Sequence, residues 1–272
     1  MLLNMQSKAM NILCIGDIVG RPGREAVKHA VARIKKEQAI DFVIANAENA
    51  SGGSGLIPKN ADEILSFGVD VMTMGDHVWD KQDIFPYLED KKDKIVRPDN
   101  FPEGVPGVGW TIATATNGVK VGVINLLGRT FMRYNVLCPF KALDNIIAKI
   151  KDQASVIILD MHAETTSEKV AMGHYADGRV SLVYGTHTHI QTADEKILPQ
   201  GTAYITDLGM SGPYDSVIGQ DKAKIITRFL TSMPHKFEVA QAPGTVHGVI
   251  VKVDPKTGRA EGITRVQMRH GA

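Results

Sequence analysis

Residues 11–25 of the chain read NILCIGDIVGRPGRE. The apolar run 11–15 is bounded by glycine and followed by Asp17, which is typical of a short buried strand that ends in a polar side chain. The segment that begins at Gly20 opens a helix, and its apolar spacing extends that helix to about Gln38. This unit of strand, turn and helix predicts an α/β protein, and the first half of the chain repeats it.

Four more apolar runs, at 42–46, 69–74, 156–159 and 180–184, also lead into polar side chains. In open α/β sheets, ligands bind outside the carboxyl ends of the strands, so these side chains could converge on one rim. Carboxylate, amide oxygen and imidazole together suit divalent Mn, Fe or Zn. The candidate residues are Asp17, Glu48, Asn49, Asp76, His77, His162, His187 and His189.

The second half of the chain has a more β-like texture. Asn117-Gly118 lies between the apolar runs 110–115 and 119–126, and this dipeptide is a strong signal for a hairpin. We predict an α/β fold with a mixed sheet or two sheets, forming a single domain over residues 11–272 after a disordered leader at residues 1–10. Further helices are predicted at 140–151, 167–175 and 223–230, and further strands at 203–206, 246–253 and 264–268.

The composition is that of a globular protein, with 43% hydrophobic and 22% charged residues among 272. A net charge of +1 gives no electrostatic footprint for duplex nucleic acid or an anionic membrane. No apolar stretch approaches the roughly 20 residues of a membrane span. The leader has too short an apolar core for a signal peptide, and two cysteines give no disulfide framework. We therefore expect a cytoplasmic protein.

The most specific local motif is Gly185-Thr186-His187-Thr188-His189. Side chains two residues apart in an extended segment point the same way, about 6.5–7 Å from each other. The two imidazoles could then reach different ions of a pair about 3.5–4 Å apart. A bridging carboxylate is needed in such a site, and either Glu48 or Asp17 could serve.

The Gly75-Asp76-His77 segment follows the third apolar run and allows two interpretations. In the functional one, Asp76 binds metal and His77 is a general acid that protonates the leaving group. In the other, the segment is a turn in which Asp76 caps a strand end. Asp160 likewise is either a partner of His162 or only a polar strand end. Other mechanisms find less support, because the chain has neither a P-loop lysine after its glycine-rich segment nor the spacing of a nucleophile elbow.

Seven segments resemble the bacterial YmdB family of calcineurin-like metallophosphoesterases. They are GDIVGRPGRE (16–25), ANAENASGGSG (45–55), GDHVWD (75–80), RPDNFP (97–102), MHAETTSEKVAMGHYADGRV (161–180), GTHTHIQTADE (185–195) and ITDLGMSGPYDSVIG (205–219). The resemblance implies a sandwich of two mixed β-sheets flanked by helices. It also implies a homo-oligomeric phosphodiesterase that acts on small phosphodiesters such as 2′,3′-cyclic nucleotides, with a metal-bridging hydroxide as nucleophile.

The same resemblance implies two divalent ions per chain, with Fe or Mn expected first and Zn as a further option. Asp17, Glu48, Asn49 and His189 would hold one ion. Glu48, Asp76, His162 and His187 would hold the other, and His77 would face the phosphate without binding metal. The chain departs from the family at Asp76, where the family has Asn. A phosphomonoesterase with the same site, or a regulatory metal-binding protein with weak activity, are the alternatives.

Overall fold

The computed structural model of the protein describes residues 9–270. Residues 1–8 of the predicted leader lie outside this range. Met10, the last residue of that leader, is fully buried as the first residue of a strand. The helices within the described range are α1 (Gly20–Gln38), α2 (Pro58–Ser66), α3 (Ile84–Asp90), α4 (Pro139–Ile150), α5 (Thr166–Ala176) and α6 (Lys222–Thr231).

The strands form two mixed sheets. The strands of the first are β1 (Met10–Ile15), β2 (Asp17–Ile18), β3 (Phe42–Asn46), β4 (Val71–Thr73), β5 (Ile95–Val96), β12 (Met210–Pro213), β13 (Gly244–Val253) and β14 (Ala260–Arg269). Their order across the sheet is β2-β12-β13-β1-β3-β4-β5, with β14 paired to β13.

The second sheet consists of β6 (Trp110–Thr114), β7 (Lys120–Leu127), β8 (Val156–His162), β9 (Leu182–Thr186), β10 (Lys196–Ile197) and β11 (Ala203–Ile205). Its order is β10-β11-β9-β8-β7-β6. The predicted hairpin around Asn117-Gly118 is confirmed, because β6 and β7 pair antiparallel across it.

Parallel pairing brings the carboxyl ends of the central strands to a common edge. In the first sheet β1, β3, β4 and β5 run parallel, and in the second β7, β8, β9 and β11 do so. Each parallel pair needs a crossover connection, and helices such as α1, between β1 and β3, provide it. The predicted strands that lead into polar residues therefore have their carboxyl ends at the sheet edges where α/β proteins bind ligands.

The period-2 alternation of the strands separates the core into layers. In β1, Ile12 and Cys14 point between the sheets and pack in one cluster with Val123 and Ile158 of the second sheet. Leu13 and Ile15 point the other way, into the cluster that contains the buried face of α1. A third cluster fills the space between the second sheet and α4 and α5. The predicted sandwich of two mixed sheets flanked by helices is confirmed.

Two differences from the predicted elements have physical reasons. The strands β2 and β12 are short and escaped prediction, since each is defined by pairing with a distant segment rather than by its own apolar pattern. The predicted strand at 69–74 is shortened at both ends to β4, because only Val71–Thr73 are in register with the neighbouring strands β3 and β5. None of the helices within residues 9–270 has the length and apolar character to cross a membrane. The assignment of residues 11–272 to one domain stays a prediction.

Candidate metal centre and catalytic cleft

Strand ends position all eight candidate residues at the rim between the two sheets. Asp17 begins β2, directly after β1, and Glu48 and Asn49 follow β3. Asp76 and His77 follow β4. His162 ends β8, while His187 and His189 follow β9. The sequence prediction that these side chains approach one another can therefore be tested by their distances.

Glu48, Asp76, His162 and His187 form a compact group that could hold a metal ion. One ligand atom from each residue lies within 4.8 Å of the others. His162 Nε2 is 3.1 Å from Asp76 Oδ1 and 3.3 Å from Glu48 Oε1. His187 Nδ1 is 3.3 Å from Asp76 Oδ1. Imidazole and carboxylate at this spacing form a mixed N/O donor set suited to Zn, Fe or Mn.

Asp17, Asn49 and His189 lie beside this group and share Glu48 with it. His189 Nε2 is 3.9 Å from Asp17 Oδ1 and 3.2 Å from Asn49 Nδ2. The same amide nitrogen donates to Glu48 Oε1 at 3.1 Å. Because the two ends of an amide have the same shape, a half-turn of Asn49 would present its oxygen at this position. Both sets of four that the family resemblance implied are thus brought together around Glu48.

Gly75 permits the close approach of the strand ends. A Cβ atom at this position would lie 2.3 Å from Glu48 Oε2 and 2.4 Å from His162 Nε2. Any side chain at residue 75 would therefore occupy the space where Glu48 and His162 meet. The glycine before Asp76 is required by the packing of the donor group and not by a turn.

Three carboxylates, Asp17, Glu48 and Asp76, are buried in this small volume. Burial, with the neighbouring Asp207, raises the pKa of Asp17 to about 7. Burial, with Asp76 and Asp17, raises the pKa of Glu48 well above its usual range. Burial also opposes ionisation of Asp76, but hydrogen bonds with His162 and His187 outweigh it and lower its pKa. Cations would stabilise this concentration of negative charge.

Asp17 supplies a second sign that the group fits a cation. Its Oδ2 accepts a hydrogen bond from the backbone N–H of His187 at 3.2 Å. Its Oδ1 is buried and has no hydrogen-bond partner among the described residues. A buried oxygen without a donor costs free energy unless another positive group compensates it. An ion bound between Asp17 and His189 would supply that group.

Two of the candidate histidines are oriented through the ring nitrogen that faces away from the group. His162 Nδ1 is 2.8 Å from Thr186 Oγ1, which donates to Asp160 Oδ1 at 2.7 Å. His189 Nδ1 is 3.0 Å from the carbonyl oxygen of Ile218. Such contacts fix the ring and its tautomer in metal sites. The contact through Thr186 favours the interpretation of Asp160 as a partner of His162.

Burial sets the protonation of the same two rings. It lowers the pKa of His162 to about 4 and lowers that of His189. Both imidazoles are therefore neutral near pH 7, which is the form that binds a metal ion. Burial has the same tendency at His187, but its hydrogen bond with Asp76 outweighs it and raises the pKa.

Residues 187–189, the histidine loop, have an unusual backbone conformation that the buried ion pair of Lys169 and Asp207 supports. His187 and His189 have φ angles of 96° and 66°, in the left-handed region that residues other than glycine rarely adopt. Between them, the backbone N–H and the hydroxyl of Thr188 donate to Asp207 Oδ2 at 3.2 and 2.6 Å. Lys169 Nζ reaches the same oxygen at 2.6 Å. This pair holds the loop in the conformation that presents both imidazoles.

His77 lies outside the four-residue group and faces a cavity of about 610 Å³. Its backbone N–H donates to Glu48 Oε2 at 3.0 Å, and its Nδ1 is 2.8 Å from Asp80 Oδ2. Asp80 also accepts hydrogen bonds from Ser54 and, at 2.9 Å, from Arg133. This arrangement directs the other ring nitrogen, Nε2, away from Asp80. The cavity is lined by His77, Glu48, Asn49, Gly52, Gly53, Ser54, Asp80, Glu164, His187, Thr188, His189, Ile218, Gln220 and Phe237.

Sequence reasoning missed three residues of this site. Glu164 Oε2 is 3.0 Å from His187 Nε2, Asp80 contacts His77, and Asp207 anchors the histidine loop. Glu164 follows His162 by two residues and Asp80 follows His77 by three, so proximity to a candidate was a usable signal for both. Asp207 had no such signal, because its contacts arise only from folding.

Comparisons with known proteins identify the family of this chain. A YmdB-like protein family model matches residues 13–266. A Bacillus subtilis (strain 168) protein named 2′,3′-cyclic-nucleotide 2′-phosphodiesterase is 49% identical over 257 residues, which cover 94% of this chain and 96% of the relative.

Two crystal structures share the fold. One is a novel phosphatase from Mycoplasma pneumoniae, with a TM-score of 0.89 and 35% identity over 96% of this chain and 94% of that one. The other is a hypothetical protein from Thermus thermophilus, with a TM-score of 0.88 and 38% identity over 96% and 99% of the two chains. The donor group, the fold and the match over nearly the whole sequence lead to one conclusion: this chain belongs to the YmdB-like family.

Proposed function

We propose that this protein is a phosphodiesterase that hydrolyses small phosphodiesters such as 2′,3′-cyclic nucleotides with two divalent metal ions. The observation that carries the proposal is the pair of donor sets that share Glu48 beside a cavity. The printed name of the Bacillus subtilis relative supports the substrate class. Two bound ions would polarise the phosphoryl oxygens and lower the pKa of a coordinated water toward neutrality.

In this proposal the candidate ligands form two metal-binding sets. Asp17, Asn49 and His189 hold one ion together with Glu48. Asp76, His162 and His187 hold the other, again with Glu48. The contacts of Thr186 with His162 and of the Ile218 carbonyl with His189 keep the metal-facing nitrogens in place.

His77 is the proposed general acid. Asp80 occupies its Nδ1, so Nε2 is the nitrogen available to give a proton to the oxygen of the leaving group. The backbone bond to Glu48 ties this ring to the shared carboxylate of the donor group, which sets its position relative to the phosphate. Such a proton transfer contributes about 10²–10⁴-fold to the rate.

Metal analysis combined with activity assays tests this function. Purified protein reconstituted with Mn, Fe or Zn should contain two ions per chain and hydrolyse 2′,3′-cAMP and bis(p-nitrophenyl) phosphate. Turnover of p-nitrophenyl phosphate in preference to both diesters would instead favour the phosphomonoesterase. Full metal content without turnover of any of these would favour a regulatory metal-binding protein. Assembly as a homo-oligomer and a cytoplasmic location stay predictions.

A further inference from the structure

One wall of the cavity is formed by Ile218, Gln220 and Phe237. Phe237 is 54% exposed and Ile218 is 49% exposed, although large apolar side chains are usually covered. Gly52 and Gly53 line the same cavity, and their lack of side chains leaves it open at this point. Apart from the contact of the Ile218 carbonyl with His189, the candidate metal-binding side chains and His77 have no hydrogen bond with these three residues among those described.

Backbone hydrogen bonds fix the position of this wall relative to the donor group. Val217 and Gln220 exchange two backbone bonds of 2.9 Å across a tight turn, and Gln220 also pairs with Val239. The carbonyl oxygen of Ile218, in the same turn, lies 3.0 Å from His189 Nδ1. The turn that orients one candidate metal ligand therefore also contributes Ile218 and Gln220 to this wall.

Phe237 is held from one side. The guanidinium of Arg228, in α6, lies over the ring at 4.8 Å from its centroid. A cation over one face orients the ring without covering the other face. An aromatic ring held in this way is a suitable platform for stacking by a flat ligand.

Gln220 adds a polar group at the same wall. Its Oε1 is buried and has no hydrogen-bond partner among the described residues. Rotation about the last side-chain bond is broad and roughly two-fold, so the amide can turn toward a ligand. This rotation would break no hydrogen bond of Gln220 Oε1 with a described residue. An amide offers a donor and an acceptor together, which matches the paired acceptor and donor on an adenine edge.

We infer that Ile218, Gln220 and Phe237 form a nucleobase subsite, in which a base stacks on Phe237 and Gln220 selects adenine. The inference rests on the proposed function, because it places the base of a cyclic nucleotide beside a phosphate bound at the donor group. It adds the residues that distinguish a nucleotide from any other phosphodiester.

The kinetic test compares two substrates that differ only in the base. One is adenosine 2′,3′-cyclic phosphate, and the other is methyl ribofuranoside 2′,3′-cyclic phosphate, which has no base. Phe237→Ala should raise KM for the adenosine substrate roughly 5- to 150-fold, the range for loss of one base–aromatic stack. It should leave KM for the base-free substrate unchanged, and Phe237→Trp should retain the wild-type preference. Phe229→Ala is the matched control, because Phe229 is 81% exposed in α6 and does not line the cavity.

Base selection is tested with Gln220→Leu. The wild-type protein should favour the adenosine substrate over its guanosine counterpart, and the variant should lose that preference. An unchanged ratio of kcat/KM between the two bases would overturn the role of Gln220.

A binding measurement separates this inference from the proposed function. Saturation-transfer NMR with adenosine, which has no phosphate, should show contact with the base protons for the wild-type protein and not for Phe237→Ala. Binding without any phosphodiesterase activity would refute the proposed function and leave the subsite standing. Hydrolysis of the adenosine substrate with the same KM in wild type and Phe237→Ala would overturn the subsite. A change in oligomeric state in Phe237→Ala with both KM values unchanged would also overturn it, since the ring would then belong to an interface.

Discussion

Asp76 is the position at which a single change of charge should alter catalysis most. Its carboxylate lies 3.1 Å from His162 Nε2 and 3.3 Å from His187 Nδ1. The family resemblance implies Asn at this position, and Asp76→Asn keeps the size and one oxygen ligand while removing a negative charge. We expect this variant to hydrolyse phosphodiesters faster than the wild-type protein near pH 7.

The size of the effect follows from the dimensions of the group. The ligand atoms lie within 4.8 Å of one another, and we take this spread as the distance scale between the Asp76 charge and a bound anion. Two unit charges at that distance interact by about 3.5 kcal/mol at an effective dielectric constant of about 20. Solvent and the two histidine partners of Asp76 reduce this value. If about 1–2 kcal/mol of repulsion of the anionic substrate remains, its removal raises kcat/KM roughly 5- to 30-fold.

The assay compares kcat/KM for bis(p-nitrophenyl) phosphate and 2′,3′-cAMP between about pH 6 and about pH 9, the range that brackets a metal-coordinated water of lowered pKa. Metal content is measured on the same samples, because loss of a carboxylate also weakens metal binding. Asp83→Asn is the matched control, since it removes one negative charge from an exposed position before α3.

Equal or lower activity of Asp76→Asn at the metal content of the wild-type protein would refute the electrostatic reasoning. A lower metal content with normal activity per bound ion would mean that the Asp76 charge serves only to retain the metal. The pH at which the rate rises should also be lower in the variant, because a negative charge beside a water disfavours its ionisation.

Three further predictions concern His77, the Lys169–Asp207 ion pair and His247. Replacing His77 with Ala should slow hydrolysis of 2′,3′-cAMP about 10²–10⁴-fold, with a smaller effect on p-nitrophenyl esters whose leaving group needs no proton; loss of metal would instead make His77 a ligand. Lys169→Met should lower the free energy of unfolding by about 3 kcal/mol or more in urea titrations, because Asp207 would stay buried without its cation; a cost below about 1 kcal/mol would contradict this. Burial lowers the pKa of His247 to about 4, below an unfolded value of about 6.5. The folded protein therefore favours neutral His247, and the stability that this preference contributes is complete above the unfolded-state pKa. It is lost as the pH falls toward the folded-state pKa, because the unfolded chain binds the proton more readily. The variant His247→Phe keeps a ring against Tyr214 and should show a weaker pH dependence of its urea midpoint. The same pH dependence in variant and wild type would contradict the lowered pKa of His247.

The local pattern of the sequence determined the strands and the chemical type of the donors. Apolar runs such as 42–46 could be recognised because a buried strand needs a continuous apolar segment, and β3 has the predicted bounds. The donors were recognisable because they directly follow those runs. Parallel strands of one sheet place their carboxyl ends together, so strand assignment predicted that Glu48 and Asp76, which follow the neighbouring strands β3 and β4, could approach each other. The approach of His162 depends on the packing of the second sheet against the first.

Tertiary structure alone decided which partners hold those donors. The backbone N–H of His187 binds Asp17, which is 170 residues away in sequence, and Lys169 meets Asp207 across 38 residues. The wall formed by Gln220 and Phe237 likewise depends on a turn that pairs with a later segment. Such contacts depend on how whole elements pack, and no local periodicity encodes them. The sequence therefore determined what the site is made of, and the packing of the two sheets determined how each side chain is oriented.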